Sequence, residues 1–322
     1  MKAIIYNKYG PPEVLKLQHI PTPIPGDKDV LIRNLATTVT ARDWRFRKAW
    51  PFLARFYTGL LKPSIPVLGS DFAGEIVAIG REVSSFKRGD LVFGSTDHSL
   101  GAYAQFVCMP QTGLIVKKPD QISIKEAAAV FFGGHSALHF LRQGGIKKGH
   151  KVLIYGASGC VGSFAVQLSK YFGAKVTGVC SGKNLTLIKS LGADRVLDYT
   201  REDFSIKGEI YDIIFDTVGK SPYRDCMKTL KNDGVFLSTV LMTPKAMLNA
   251  MWTRLTTKKK VIGGSAEERI EDLEFLSGLL QTGDIKPVID REFPLEQIIE
   301  AHRYVEKGHK TGNVVITISH KA

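Results

Sequence analysis

The strongest chemical spacing in the chain lies between residues 151 and 162. Lys151-Val152-Leu153-Ile154-Tyr155 is a short apolar run, and Gly156-Ala157-Ser158-Gly159-Cys160-Val161-Gly162 follows it directly. Within that loop, Ala157-x-Gly159-x-x-Gly162 is a Gly-x-Gly-x-x-Gly pattern whose first glycine is replaced by alanine. Gly159 would let a pyrophosphate approach the backbone, and Gly162 would permit close contact between helix and strand. Val161, Phe164, Ala165, Leu168 and Phe172 then recur at helical spacing up to Gly173, so the loop opens a helix. A helix N-terminus offers N–H groups and the positive end of a dipole, which favours phosphate. Such a pattern is weak alone. The strand before it and the helix after it make a dinucleotide the expected ligand.

The end of the next strand-like run discriminates between dinucleotides. A reader of the unphosphorylated adenosine ribose carries Asp or Glu about 20 residues after the loop. Here the sequence runs Val179-Cys180-Ser181-Gly182-Lys183-Asn184, with a hydroxyl and a cation and no carboxylate. Ser181 and Lys183 are therefore expected to receive a 2′-phosphate, which makes NADPH the expected cofactor. Other candidates for chemistry are thinner. Cys108, Cys160, Cys180 and Cys226 form no Cys-x-x-Cys pair and read as small buried side chains. His135 and His139 stand one helical turn apart, without the intervening Glu of a metalloprotease motif or an evident third ligand.

The frame that must position these residues shows in the hydrophobic rhythm. From Lys151 onward, strand-like runs at 151–155, 175–180, 195–198, 211–216, 234–239 and 260–264 are mostly separated by helical patterns. This alternation predicts a parallel sheet with helices on both faces. The first 120 residues instead show short apolar runs between Pro/Gly punctuation, at 3–6, 14–20, 30–40, 72–80, 91–94 and 103–109. Residues 41–62, rich in aromatics, read as a helical or looping excursion, and 126–141 as an Ala-rich helix. Residues 268–281 read as a further helix, 293–307 as partly helical, and 313–318 as a closing strand. Residues 241–257 carry three methionines and Trp252 on an amphipathic segment, open to reading as a substrate lid, a dimer surface or ordinary packing.

Composition narrows the function classes. The chain has 322 residues, 44% apolar and 23% charged, which suits a globular protein of two domains. No apolar stretch approaches the ~18 residues of a bilayer span. The start loses its hydrophobicity too soon for a secretory signal, so a cytoplasmic location is expected. The net charge of +13 favours anionic partners. Its densest runs, around Lys147–Lys151 and at Lys258-Lys259-Lys260, lack interleaved aromatics, so no specific nucleic acid is expected and a small anionic molecule is favoured.

Several segments in the right order carry a family likeness: Met1-Lys2-Ala3, Pro66-Val67-Leu68-Gly69-Ser70-Asp71-Phe72-Ala73-Gly74, Phe86-Lys87-Arg88-Gly89-Asp90-Leu91-Val92-Phe93, the phosphate loop, and the tail 301–316. Over essentially its whole length the chain resembles the medium-chain dehydrogenase/reductase superfamily, specifically its zinc-free quinone oxidoreductase branch. The resemblance implies an α/β fold: a Rossmann doubly wound parallel sheet inserted in a GroES-like β-barrel catalytic domain. Residues 1–122 and 265–322 would form the catalytic domain and 123–264 the NADPH-binding domain, with the active site in the cleft between them. Zinc members place a Cys where this chain has Thr40 and a His-Glu pair where it has Ser70-Asp71. Two hydroxyls in place of a thiol and an imidazole leave no usable zinc site, because zinc wants sulfur or nitrogen ligands. The four-cysteine structural zinc lobe is absent as well.

Carried over by position, the likeness implies a cofactor set. The loop residues Ala157, Ser158, Gly159, Cys160, Val161 and Gly162 would cradle the pyrophosphate. Ser136 occupies the hydroxyl position near the nicotinamide, and Tyr199 matches the tyrosine beside the 2′-phosphate. Val218 and Ser238 would border the nicotinamide half, and Asn313 matches a tail position that reaches back to the cofactor. A quinone or an α,β-unsaturated carbonyl compound accepts hydride at carbon and spreads charge onto oxygen, so a few hydrogen-bond donors suffice. Thr40, Trp44, Ser136 and backbone N–H groups are the donors expected. Many family members have Asn where Thr40 stands. Asp43 matches a common Asp of the branch and reads equally as an orienting residue or as a cap for the following helix. NADPH-dependent, zinc-independent reduction of quinones or enones is the function implied. Reduction of simple carbonyls and a non-catalytic, NADPH-binding redox sensor or RNA-binding protein remain alternatives, and monomer and homodimer both stay open.

Overall fold

The computed structural model describes residues 1–50, 52, 55–206, 208–240 and 244–320. They fall into two units. The first comprises Met1–Phe132, Glu268–Gly283 and Pro287–Ala322, and the second Gly133–Glu267 and Asp284–Lys286. The first unit's leading strands are β1 (Lys2–Ile5), β2 (Lys16–His19), β3 (Asp29–Thr38), β4 (Asp71–Ile79), β5 (Leu91–Ser95), β6 (Phe106–Pro110) and β7 (Leu114–Lys117). The second unit holds β8 (Lys151–Tyr155), β9 (Lys175–Cys180), β10 (Arg195–Asp198), β11 (Tyr211–Asp216), β12 (Leu230–Ser238) and β13 (Lys260–Gly263). The chain then returns to the first unit with β14 (Ile289–Pro294) and β15 (Asn313–Thr317). The helices, in order, are α1 (Ala41–Lys48), α2 (Arg55–Thr58), α3 (Ile124–Ala128), α4 (Ser136–Gln143), α5 (Cys160–Tyr171), α6 (Leu185–Ser190), α7 (Tyr223–Thr229), α8 (Pro244–Thr256), α9 (Ile270–Thr282) and α10 (Ile298–Glu306). No described helix is long and apolar enough to cross a membrane.

In the first unit β3 is the hub. It pairs antiparallel with β4, β6 and β15, within a sheet ordered β14-β15-β3-β4-β5-β7. Val30, Ile32, Phe72, Ile76, Val92, Val107, Met109 and Ile115 point inward together and form one of its cores. The β3–β4 register sets Thr37 opposite Phe72, which brings the end of β3 alongside Ser70 and Asp71. Helix α1 starts there.

The second unit is a six-stranded, all-parallel sheet ordered β10-β9-β8-β11-β12-β13. Leu153, Val179, Leu197, Ile214, Phe236 and Val261 are buried in one of its cores. The order runs outward in both directions from the β8–β11 pair, the switch point where open α/β sheets bind ligands beyond their carboxyl ends.

Three local features differ from the sequence reading. Helix α3 packs against β3 and β4, which keeps residues 123–132 with the first unit rather than with the nucleotide half. Residues Asp284–Lys286 join the second unit, where the Gln167 side chain bonds both the N–H and the carbonyl of Lys286. The helix expected over 126–141 is interrupted by a π-helical turn at Phe131–His135. A Cβ on Gly133 would lie 2.6 Å from the Cys160 Sγ, so the glycine brings this turn hard against the start of α5. Of the segment 241–257, residues 241–243 lie outside the described residues and most of the rest forms α8.

Candidate functional site

Backbone geometry shapes the phosphate loop. Gly156 adopts a left-handed φ of 81°, and a Cβ there would lie 2.7 Å from Val218 Cγ1. The left-handed residue is therefore Gly156, and Ala157 has no positive φ to pay in strain, which explains how alanine stands in the pattern's first glycine position. The N–H groups of Gly156 and Ala157 both donate to the Val179 carbonyl at 3.0 Å, tying the turn to β9. A Cβ on Gly162 would fall 2.1 Å from the Gly156 oxygen and 2.8 Å from the Ala157 Cα, so only glycine fits there. Gly159 is the N-cap of α5, and no side chain caps that end. The first turn thus faces outward with its N–H groups and positive dipole end, beside Ser158, Cys160 and Val161, a cradle that fits a dinucleotide pyrophosphate.

Around this loop the second unit gathers most of the expected cofactor set. Val218 closes over Gly156, and Asp216 fixes its turn by accepting from the N–H groups of Val218, Gly219 and Ser221 at 2.8–3.0 Å. Ser238 ends β12 in register with Asp216, buried, its hydroxyl accepting from the Val240 N–H. Ser136 heads α4 and is half-buried. Tyr199 is half-exposed, with its ring 6.4 Å from that of Tyr155 at the end of β8. Ser181 and exposed Lys183 follow β9 as expected. Asn313 belongs to the first unit, where it is buried and its side-chain amide donates to the Val288 carbonyl at 3.1 Å.

The expectation that no carboxylate stands near the Ser181–Lys183 turn is corrected. Asp198, at the end of β10, pairs in register with Cys180, and a Cβ on Gly182 would lie 2.6 Å from its Oδ2. Its Oδ1 accepts from the Thr200 N–H and hydroxyl at 3.0 and 2.8 Å, bonds that hold the carboxyl below its ordinary range. The sequence reading looked along β9 for an acid, and the neighbouring strand supplies it.

The second concentration of chemistry is the head of α1. Thr40 is the N-cap, and its N–H and hydroxyl both donate to Asp43 Oδ2 at 2.7 Å. Asp43 thus both caps the helix and orients Thr40. The Tyr103 hydroxyl faces the same carboxyl. Asp71, 2% exposed, accepts from the Thr38 hydroxyl at 3.0 Å, the Phe132 N–H at 3.3 Å and the Ser70 hydroxyl at 3.3 Å. Arg42 pairs with Glu268 and lies 5.8 Å over the Phe132 ring. Burial pushes Asp43, Asp71 and Glu268 above the ordinary carboxylate range, Asp71 to about 7, against the pull of Arg42. Trp44 stacks on Trp50 at 6.0 Å with Arg45 and Lys48 over its ring. Sequence reasoning missed Arg42, Tyr103 and Glu268. Asp71 was visible only as one half of a replaced pair.

Comparison with known proteins agrees with this architecture. Residues 26–120 match the family model described as alcohol dehydrogenase GroES-like domain, and residues 191–316 that of zinc-binding dehydrogenase. The chain is 34% identical over 336 residues to the chloroplast envelope quinone oxidoreductase homolog of Arabidopsis thaliana, covering 98% of both. It is 30% identical over 329 residues to the chloroplastic NADPH-dependent alkenal/one oxidoreductase of the same plant, covering 98% of this chain and 79% of that one. The structure of the quinone oxidoreductase from Coxiella burnetii matches at a TM-score of 0.89 and 31% identity, over 99% of each chain. A GroES-like unit interrupted by a doubly wound nucleotide unit defines a medium-chain dehydrogenase/reductase, a class of oxidoreductase. With likeness of this extent, the chain belongs to the quinone oxidoreductase branch of that superfamily.

Proposed function

We propose that this chain reduces quinones and α,β-unsaturated carbonyl compounds with NADPH, without zinc. The observation that carries the reading is the phosphate loop, in which Gly156 and Gly162 let the turn pack tightly and Gly159 opens α5 with no capping side chain. When bound, NADPH supplies the hydride. The loop residues 157–162 would receive its pyrophosphate, Ser181, Lys183 and Tyr199 the adenosine end, and Val218, Ser238 and Ser136 the nicotinamide end. Preference for NADPH over NADH rests on Lys183, whose exposed ammonium suits a phosphate, while Asp198 is already engaged by Thr200.

On the substrate side, Asp43 holds both the N–H and the single hydroxyl proton of Thr40, so Thr40 would donate to the developing oxyanion by exchanging its hydroxyl bond to Asp43 for one to the substrate. The zinc-free reading rests on donor chemistry. Thr40 and Ser70 offer hydroxyls, and among the described residues no three His, Cys, Asp or Glu side chains converge to hold a metal ion. A homodimer is the assembly we infer, from the unpaired edge of β13 and the exposed Met247, Leu248, Met251, Trp252 and Leu255 on α8 beside it. Light scattering on the purified protein tests it.

The decisive test of function is NADPH oxidation against a panel of quinones, enones and saturated aldehydes, with and without chelator. Quinones and enones should turn over and saturated aldehydes should not, with no loss in chelator. Turnover of saturated aldehydes alone, or a requirement for added zinc, would overturn the reading.

A further inference from the structure

Charge accounting at the head of α1 does not close if every group is ionised. Three carboxyls (Asp43, Asp71 and Glu268) surround one guanidinium, Arg42, all largely withdrawn from water, and a fourth, Asp97, lies against Glu268. Three uncompensated negative charges in such a place are strongly disfavoured, so protons must be retained. The hydrogen bonds indicate where. Glu268 takes Arg42. Asp43 sits in the first turn of α1 and receives two bonds of 2.7 Å on Oδ2, both favouring its anion. Asp71 has the longest bonds of the set, and among the described residues its Oδ1 has one hydrogen-bond partner, the Ser70 hydroxyl at 3.3 Å.

We propose that Asp71 holds a proton on Oδ1 and passes it through the Ser70 hydroxyl to the substrate oxygen once hydride has been delivered. The inference rests on the proposed reduction of quinones and enones. The β3–β4 register that sets Thr37 opposite Phe72 carries Ser70 and Thr40, the residue proposed to meet the substrate, to the same end of the sheet. With the proton on Oδ1, the Ser70 oxygen accepts from Asp71 and its own O–H is free to donate onward. For an enone, hydride brings two electrons to the β-carbon and the C=C pair moves toward the carbonyl, leaving an enolate oxygen. The Ser70 O–H bond breaks as its proton moves to that oxygen, and the Asp71 O–H bond breaks as its proton replaces the one lost. The resulting Asp71 carboxylate is reprotonated from water. The charged and titratable groups facing Asp71 are Arg42 and Asp43 from α1 and Tyr103 ahead of β6. The charged residues on α3, which packs on β4, are engaged elsewhere, Lys125 with Glu292 and Glu126 with Ser123. Burial and the neighbouring Asp43 place the Asp71 titration near 7, within reach of solution pH.

The test has two arms. Infrared titration of the protein without cofactor should show a protonated-carboxyl band that disappears as pH rises through about 7 and is missing from Asp71→Asn. In turnover, kcat for enones should fall above that pH with a solvent isotope effect. Asp71→Asn should lower kcat by about 100-fold, the scale of general-acid catalysis, and flatten the profile while leaving NADPH affinity within twofold. Ser70→Ala should show the same loss of kcat while keeping the infrared band, and Ser70→Thr should restore activity. Ser70→Ala carries the kinetic arm if Asp71→Asn does not fold. Absence of the band in wild type, or full kcat in Ser70→Ala, overturns the proposal. A wild type that shows the band but reduces no quinone or enone would sink the proposed function and confine Asp71 to holding a proton.

Discussion

The phosphate loop and the head of α1 solve opposite problems. Residues 156–162 contain no ionisable side chain other than a buried thiol, and they prepare for an anion by backbone direction and by the space glycine leaves. The head of α1 crowds three carboxyls and a guanidinium into the interior and leaves protonation to balance them. A site built from backbone is set by sterics and is indifferent to pH. A site built from buried charge is set by the proton and changes with pH.

The largest expected effect is on stability against pH. Asp71 keeps its proton in the folded chain to about pH 7, whereas in the unfolded chain it ionises near its ordinary value of 3.8. Between those values the folded state binds more protons. The stabilisation is complete below the lower value and is lost as pH rises to the upper one, by up to about 4 kcal/mol. Asp71→Asn cannot ionise and should lack this slope, so urea unfolding of both proteins from about pH 4 to about pH 8 should give curves that diverge upward in pH. Parallel curves would erase the contrast between the two sites.

Next in size is Gly162→Ala. Its Cβ would collide with the Gly156 carbonyl, and backbone cannot yield as a side-chain tip would. A loss of about 3 kcal/mol in stability is expected, with NADPH binding abolished in a fluorescence titration. Retained binding at wild-type strength would mean that the loop is not set by sterics. Lys183→Ala should weaken NADPH binding by roughly 10- to 150-fold, corresponding to about 1.5–3 kcal/mol for a charge-assisted bond, and leave NADH unchanged. Equal losses for both cofactors would place Lys183 on a part they share. The smallest effect is Asp198→Asn, which removes a negative charge beside the same turn. It should improve NADPH over NADH by about two- to fivefold, because a negative charge beside a phosphate repels it. Unchanged selectivity in paired dissociation constants would separate Asp198 from the cofactor.

The same contrast explains what could be read from sequence. The phosphate loop is legible because seven adjacent residues contain its pattern, and the strands expected at 151–155, 175–180, 195–198 and 211–216 coincide with β8 to β11. The head of α1 is legible only in its local half, Thr40 and Asp43, three residues apart. Arg42 meets Glu268 across 226 positions, and Asp71 meets Phe132 across 61. No pattern of polarity along the chain announces such pairs. Asp198 is nearer in sequence, yet it reaches Gly182 only through the parallel register of β9 and β10. The π-helical turn is hidden for a related reason: the Cys160 sulfur that Gly133 packs against belongs to another helix.

The return of Asp284–Lys286 to the second unit also has a bearing on how the molecule can be dissected. The chain passes from one unit to the other four times, after Phe132, Glu267, Gly283 and Lys286. An expression fragment cut as residues 133–267 would leave the buried Gln167 amide without the Lys286 main chain that satisfies both of its ends. A chimera that grafts this nucleotide half onto another catalytic half must therefore transplant two pieces of sequence, the second only three residues long.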